Sequence, residues 1–306
     1  MGGSMVGGRE GTKRDSRLRV ALGQVAPALG DLPGNVAMHL RVARAALRRG
    51  ARLLVFPELS LTGYRLQDLV VDIAVRLDDP APIRPLLEIS RRISLIVGLV
   101  EESEAHRFYN SALFLEGGRI RHVHRKVYLP TYGMFEEGRY FSAGESLRAF
   151  RSRLGRLGMA VCEDVWHPPA ALLLAQDGAD YLFVLANGPT HGIDRRGEPR
   201  SQQTWDDLLK VTAQLQTVFV VCANRAGCED GVTFGGGSSV HDPSGRLLAR
   251  GKSFDEDLVI CDLERAALRR ARAACPLLRD ERLPLVSREI LRLIASPSPG
   301  RGAGAP

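Results

Sequence analysis

Residues 157–166, LGMAVCEDVW, run from apolar to acidic through a single cysteine, Cys162. The apolar part is the length of a buried strand, and the Pro168-Pro169 pair that follows opens a predicted helix from about Pro168 to Asp177. ADYLFVLAN (179–187) then supplies a second strand. The same alternation extends in both directions. Toward the N-terminus lie the apolar run RLRVALGQV, the helically spaced NVAMHLRVARAALRRG, and the strands ARLLVFPE and SLIVGLVEE. This is α/β layering. YNSALFLEGGRIRHVHRKVYLP reads as a hairpin turning at Glu116-Gly117-Gly118, so the sheets are expected to be mixed. Downstream, 201–216 reads as a helix, and TVFVVCANRAG, SSVHDPSGRLLARG and DLVICDLE as three strands. Two further helices, 263–274 and 283–294, are expected to finish the chain.

Nothing between Arg19 and Ala295 shifts in composition or repeats, so residues 19–295 are expected to form one domain. The Gly-rich, charged stretch 1–18 lacks the apolar segment of a signal peptide and reads as a flexible leader, and 296–306 as a disordered tail. No run is long enough to span a bilayer. Five scattered cysteines form neither a disulfide framework nor a zinc spacing, which suits a reducing cytoplasm. The formal charge of +7 is spread out and collects partly in LERAALRRARAA, where no aromatics interleave. That pattern favours a solvated helix face over a nucleic-acid surface.

A catalytic thiol needs a base or a cation beside it, because an unperturbed cysteine is only a few per cent thiolate at neutral pH. Two distant segments offer these. LLVFPELSLTGY (53–64) ends an apolar run in Glu58, and HRKVYLPTYGMFEEGRYF (124–141) carries Lys126. Only four of the 42 basic residues are Lys, and one directly follows Arg125. The choice hints at a need for a compact amine. Taken singly, Cys162 reads as a buried apolar residue, Glu58 as a turn cap and Lys126 as a surface charge. Cys222 and Cys261 read as core. His122 and His124 alternate along a strand with no acidic ligand in view, so no metal is expected, and no Gly-rich nucleotide loop implies a cofactor.

Taken together, FPELSLTGY, RKVYLPTYGMFEEGRYF and GMAVCEDVW resemble the three motifs of the nitrilase superfamily of carbon–nitrogen hydrolases, in order, over roughly Arg19–Leu263. The resemblance implies an α-β-β-α sandwich and a Glu58, Lys126, Cys162 triad. It also implies a helper glutamate at Glu137, pairing of protomers into a homo-oligomer, and hydrolysis of a non-peptide C–N bond through a Cys thioester. ELSLTGYRLQDLV and CEDVW are further similar to the glutaminase domains of glutamine-dependent NAD synthetases. This implies that Tyr132 and Glu163 bind the amino acid part of glutamine. Where those domains carry a Ser in an Asn-x-Ser-Pro context, this chain has Asn187-Gly188-Pro189-Thr190, leaving Thr190 as the substitute, and Arg195, Arg196 or Arg200 as the loosely matched basic position.

No Ser-Gly-Gly-x-Asp-Ser phosphate loop occurs, so any consumption of ammonia is expected in a separate synthetase partner. The expected substrate is glutamine or a related ω-amide, with an aliphatic amide, N-carbamoyl compound or nitrile as the alternative. A Cys162–His167 pairing is a different arrangement of the nucleophile. An inactive binding or ammonia-channelling subunit is the reading of another class.

Overall fold

The computed structural model describes residues 17–192 and 199–296. Fifteen strands are described: β1 (Arg17–Gln24), β2 (Leu53–Val55), β3 (Val75–Arg76), β4 (Ser94–Glu102), β5 (Phe108–Glu116), β6 (Arg119–Arg125), β7 (Phe150–Ser152), β8 (Gly155–Val161), β9 (Tyr181–Ala186), β10 (Phe219–Asn224), β11 (Ala226–Glu229), β12 (Val232–Gly235), β13 (Ser239–His241), β14 (Leu247–Arg250) and β15 (Asp257–Glu264). One sheet runs β15-β1-β2-β4-β5-β6, with β3 paired to β4; a second runs β14-β13-β10-β9-β8-β7; β11 and β12 form a separate hairpin. Parallel pairing of β1, β2 and β4, and of β8, β9 and β10, is flanked by antiparallel strands in both sheets, so the sheets are mixed as predicted.

The helices are α1 (Leu32–Arg48), α2 (Val70–Ile73), α3 (Arg84–Ile89), α4 (Glu137–Tyr140), α5 (Pro168–Gln176), α6 (Arg200–Gln216), α7 (Arg265–Ala274), α8 (Leu277–Asp280) and α9 (Leu283–Ala295). Period-2 alternation explains the layers. On β1, Leu18, Val20 and Leu22 face the second sheet and share a core with Leu157, Met159 and Val161 of β8. Ala21 faces the opposite way and packs with Val36, Ala43 and Ala46 of α1 and Leu86 of α3. Beyond the second sheet, Leu174 of α5 and Leu209 and Ala213 of α6 close the inner core. The result is the α-β-β-α sandwich.

Gly117 and Gly118 both take positive φ (65° and 84°), which is what a two-residue turn between β5 and β6 requires. Three boundaries depart from the sequence reading. Arg17 and Leu18 belong to β1 rather than to a leader, because Leu18 is buried and pairs with Leu263. TVFVVCANRAG breaks into two strands at Arg225. SSVHDPSGRLLARG folds as a hairpin, because Asp242 Oδ1 accepts the Ser244 and Arg246 amides and Gly245 adopts φ 80°. The rest of the expected leader and tail, together with Arg195 and Arg196, lie outside the described residues.

Part of the basic helix α7 is used internally. Arg265 reaches the Leu154 carbonyl, and Arg272 reaches Asp180 and the Ala179 carbonyl. No helix among the described residues is long and apolar enough to cross a membrane.

Candidate active site

Three strand ends converge. After β2 the chain turns sharply through Glu58 and Leu59, the latter at φ 46°. The turn lies flat on β4 because position 98 is glycine: a Cβ there would collide with the Leu59 amide and the Pro57 carbonyl. After β6, the Lys126 amide donates to the Asn110 carbonyl at 2.9 Å and so continues the ladder by one residue. After β8, Cys162 begins a 3₁₀ turn (Cys162–Trp166) at φ 45°, an uncommon conformation for a residue with a side chain.

Asp164 ties two of these ends together. Its Oδ1 accepts the Val127 and Tyr128 amides at 2.9 and 3.0 Å, and its Oδ2 accepts the Val161 amide at 2.8 Å and meets His124 Nε2 at 2.7 Å. Burial alone would push this carboxyl up, but the His124 bond and the amides outweigh it and hold it below the usual carboxylate range. His124 therefore has an acidic partner that the strand pattern concealed. No cluster of three or more metal-ligating residues occurs among the described residues.

The side chains meet where the three ends meet. Lys126, 1 % exposed, donates from Nζ to Glu58 Oε1 at 2.8 Å and to Glu137 Oε1 at 2.7 Å. Glu58 Oε1 also accepts from Asn110 Nδ2 at 2.7 Å, and Glu58 Oε2 accepts the Asn187 amide at 3.0 Å. The Cys162 thiol lies beside this group, close enough to feel the charges of Glu58, Lys126 and Glu137. Tyr64 Oη donates to Glu137 Oε1 at 2.7 Å. A cavity of about 420 Å³, lined by Tyr64, Val70, Phe135, Glu137, Tyr140 and Phe141 among others, borders this group.

The electrostatics follow from burial and proximity. Burial would depress the Lys126 ammonium, yet Glu58 and Glu137 outweigh it and hold the group well above the lysine range. Burial pushes the Glu137 carboxyl up to about 7, with Lys126 opposing and Glu58 reinforcing. Burial, then Glu58, pushes the Cys162 thiol well up against the pull of Lys126. At neutral pH the sulfur is therefore a thiol, and attack by it requires a base.

Glu58, Lys126, Cys162 and Glu137, read separately from the sequence, thus come together. Tyr132 and Glu163 also meet, Tyr132 Oη donating to Glu163 Oε2 at 2.9 Å. The Tyr132 phenol is pushed up to about 12 by burial and that bond. Thr190 follows Asn187 in the loop after β9: its amide donates to the Thr233 carbonyl, and its hydroxyl lies over Gly235. Arg200 opens α6. His167 stacks on Tyr128 at 3.7 Å between ring centres and directs Nε2 toward Glu163 at 3.7 Å. Cys222 and Cys261 lie in the core as predicted.

Sequence reasoning missed Asn110, Asn187 and Tyr64 as partners of the acids. Asn110, a buried amide within the apolar strand YNSALFLE, carried a signal of its own, since a polar group there needs partners.

Comparison with known proteins gives the family of the chain. Residues 19–273 match the profile described as "Carbon-nitrogen hydrolase". The glutamine-dependent NAD(+) synthetase of Thermotoga maritima is 34% identical over 252 residues, covering 81% of this chain but 42% of its own length. This chain thus spans less than half the length of the NAD(+) synthetases it matches. The N-carbamoylputrescine amidase of Solanum lycopersicum is 26% identical over 273 residues, covering 82% of this chain and 88% of that protein. The solved structure of a Nesterenkonia AN1 amidase from the nitrilase superfamily is 26% identical and superposes with a TM-score of 0.74, covering 89% of this chain and 97% of that one. With a sandwich that gathers Glu58, Lys126 and Cys162 at three strand ends, and a profile match over most of its length, this chain belongs to the carbon-nitrogen hydrolase family.

Proposed function

We propose that the protein hydrolyses the ω-amide of glutamine, or of a closely related compound, to acid and ammonia through a thioester on Cys162. The observation that carries this reading is the buried Lys126 ammonium bonded to both Glu58 and Glu137, with the Cys162 thiol beside Glu58.

Glu58 takes the thiol proton as sulfur attacks the amide carbon. The C–S bond forms, and the carbonyl oxygen becomes an oxyanion facing the remaining Lys126 proton and the amide N–H that follows Cys162. Glu58 returns the proton to nitrogen, the C–N bond breaks and ammonia leaves. Water, deprotonated by Glu58, then attacks the thioester, and the thiol is regenerated as the acid departs. Glu137 holds Lys126 in line throughout.

Glu163, fixed by Tyr132, is the acceptor for the ammonium of an amino acid substrate. Thr190 is the third contact, from the loop after β9. The Thermotoga maritima relative supports glutamine as substrate, and a separate synthetase is the fitting consumer of the ammonia. A cytoplasmic setting suits five free cysteines, and a homo-oligomer suits the sandwich.

One observation favours a second reading, in which the same machinery acts on an aliphatic amide, an N-carbamoyl compound or a nitrile: the Thr190 hydroxyl lies over Gly235. The test is ammonia release from glutamine, asparagine, simple amides, carbamoyl compounds and nitriles, with Cys162→Ala as the blank. Release from glutamine by the native protein alone is expected. Aliphatic turnover without glutamine turnover selects the second reading, and equal release from both proteins overturns the Cys162 thioester.

A further inference from the structure

A second buried ion pair sits behind the site. Arg225 and Glu229, with side chains 1% and 3% exposed, are joined Nη1 to Oε2 at 2.5 Å. Arg225 Nη2 also donates to the Pro27 carbonyl at 2.9 Å, and its guanidinium lies 4.7 Å above the Phe234 ring. A buried pair of this kind is costly to desolvate and weak evidence for stability on its own. Its free oxygen indicates its use: Glu229 Oε1 accepts the amides of Tyr64 and Arg65 at 2.9 and 2.8 Å.

The approach depends on Gly63. Its φ is 85°, and a Cβ there would press on Leu29 and on Glu229 Oε2. The Tyr64 ring is held edge-on to the same Phe234, with centres 6.3 Å apart. Backbone and ring of Tyr64 are therefore both fixed by the Arg225–Glu229–Phe234 group, and its hydroxyl reaches Glu137 Oε1, the atom that also receives Lys126.

We propose that Tyr64 is a positioning residue for the reaction, orienting the Glu137 carboxylate that holds Lys126, and that the Arg225–Glu229 pair exists to place Tyr64. This rests on the functional reading above for its link to turnover. Its geometry, however, is tested without turnover. Burial, then Glu137 and Glu58, pushes the Tyr64 phenol well above the usual range, so it stays protonated and can only donate to the carboxylate. The groups facing Glu137 are Lys126, Glu58 and Tyr64, and the Glu137 charge is felt at Cys162. Removing the phenol removes a donor that favours ionised Glu137, so its titration moves upward from about 7.

The experiment is alkylation of Cys162 by iodoacetamide as a function of pH, followed by mass spectrometry of the Cys162 peptide because Cys228 and Cys275 are exposed. The thiolate forms a C–S bond, iodide leaves, and the thiol proton passes to solvent. In Tyr64→Phe the inflection assigned to Glu137 is expected to move up by roughly one pH unit, the equivalent of one charge-assisted hydrogen bond. Glu229→Gln is expected to move it the same way by less. The double variant is expected to match Tyr64→Phe, because Glu229 acts through Tyr64.

With an amide that the native protein turns over, Tyr64→Phe lowers kcat about tenfold with KM nearly unchanged. An inflection at one pH in both proteins, or absent from both, overturns the proposal even where turnover is normal. A moved inflection in a protein that turns over no tested amide leaves it standing while the functional reading fails. If Glu229→Gln does not fold, the Tyr64→Phe profile decides alone.

Discussion

Lys126 and Arg225 are both cations shut away from solvent, and their uses differ. Lys126 lies between two carboxylates, Glu58 and Glu137, beside a thiol. Arg225 has one carboxylate, Glu229, on Nη1 and gives Nη2 to the Pro27 carbonyl, with its guanidinium over the Phe234 ring. A planar guanidinium pins several groups at fixed angles, which suits the support of a loop. A compact ammonium with three protons can satisfy two acids and keep one proton for charge that appears only during reaction. In a chain that writes all but four of its 42 basic residues as Arg, the exception at the site has this physical reason.

The contrast breaks first if the two cations prove interchangeable. Lys126→Arg is expected to lower turnover of whichever amide the ammonia assay identifies by ~10³-fold or more, since the fork cannot occupy the space of an ammonium between two acids. Activity within tenfold of native would erase the distinction. Arg225→Met is expected to cost about 3–5 kcal/mol in urea unfolding, because Glu229 is left charged and buried without its cation. A loss below about 1 kcal/mol would mean that the Tyr64 and Arg65 amides suffice to hold the carboxylate.

The smallest effect sharpens the comparison by locating the acid sensitivity of folding away from both pairs. Burial lowers the His39 imidazole from 6.5 to about 3, while its ring bonds the Asn35 carbonyl and Ser60. The unfolded chain binds this proton at its ordinary value and the folded chain does not. The stability is therefore present above about 6.5 and lost as pH falls toward 3, by at most ~1.4 kcal/mol per pH unit. His122, lowered to about 4 by burial, acts in the same sense, and Glu137, raised to about 7, in the opposite one. The His39 share is thus the difference between native protein and His39→Gln in melting temperature between pH 7 and pH 5. Parallel curves would assign the loss elsewhere.

How much was legible follows from the range of each interaction. Strands and helices were readable because their periodicity is local: β8, α5 and β9 fall where LGMAV, the Pro-Pro pair and ADYLFVLAN put them. The split at Arg225 was not, because nothing in TVFVVCANRAG reveals that the Arg225 fork serves Pro27 and Glu229. Glu58, Lys126, Glu137 and Cys162 stood out through their motifs. Asn110 and Asn187 did not, since an amide in a strand or loop declares a need for partners but not which ones. Asn187 and Glu58 are 129 positions apart when they bond.

The sequence by itself determined the layering, the two-glycine turn and the family resemblance, and it singled out an acid, an amine and a thiol, all of which depend on neighbours along the chain. Only the tertiary structure decided that three strand ends would meet and that the Asn187 amide would face Glu58. It also decided that a second buried pair would stand behind Tyr64. Those outcomes depend on how two sheets stack and on left-handed turns at Leu59 and Cys162, which aim side chains that no local pattern can orient.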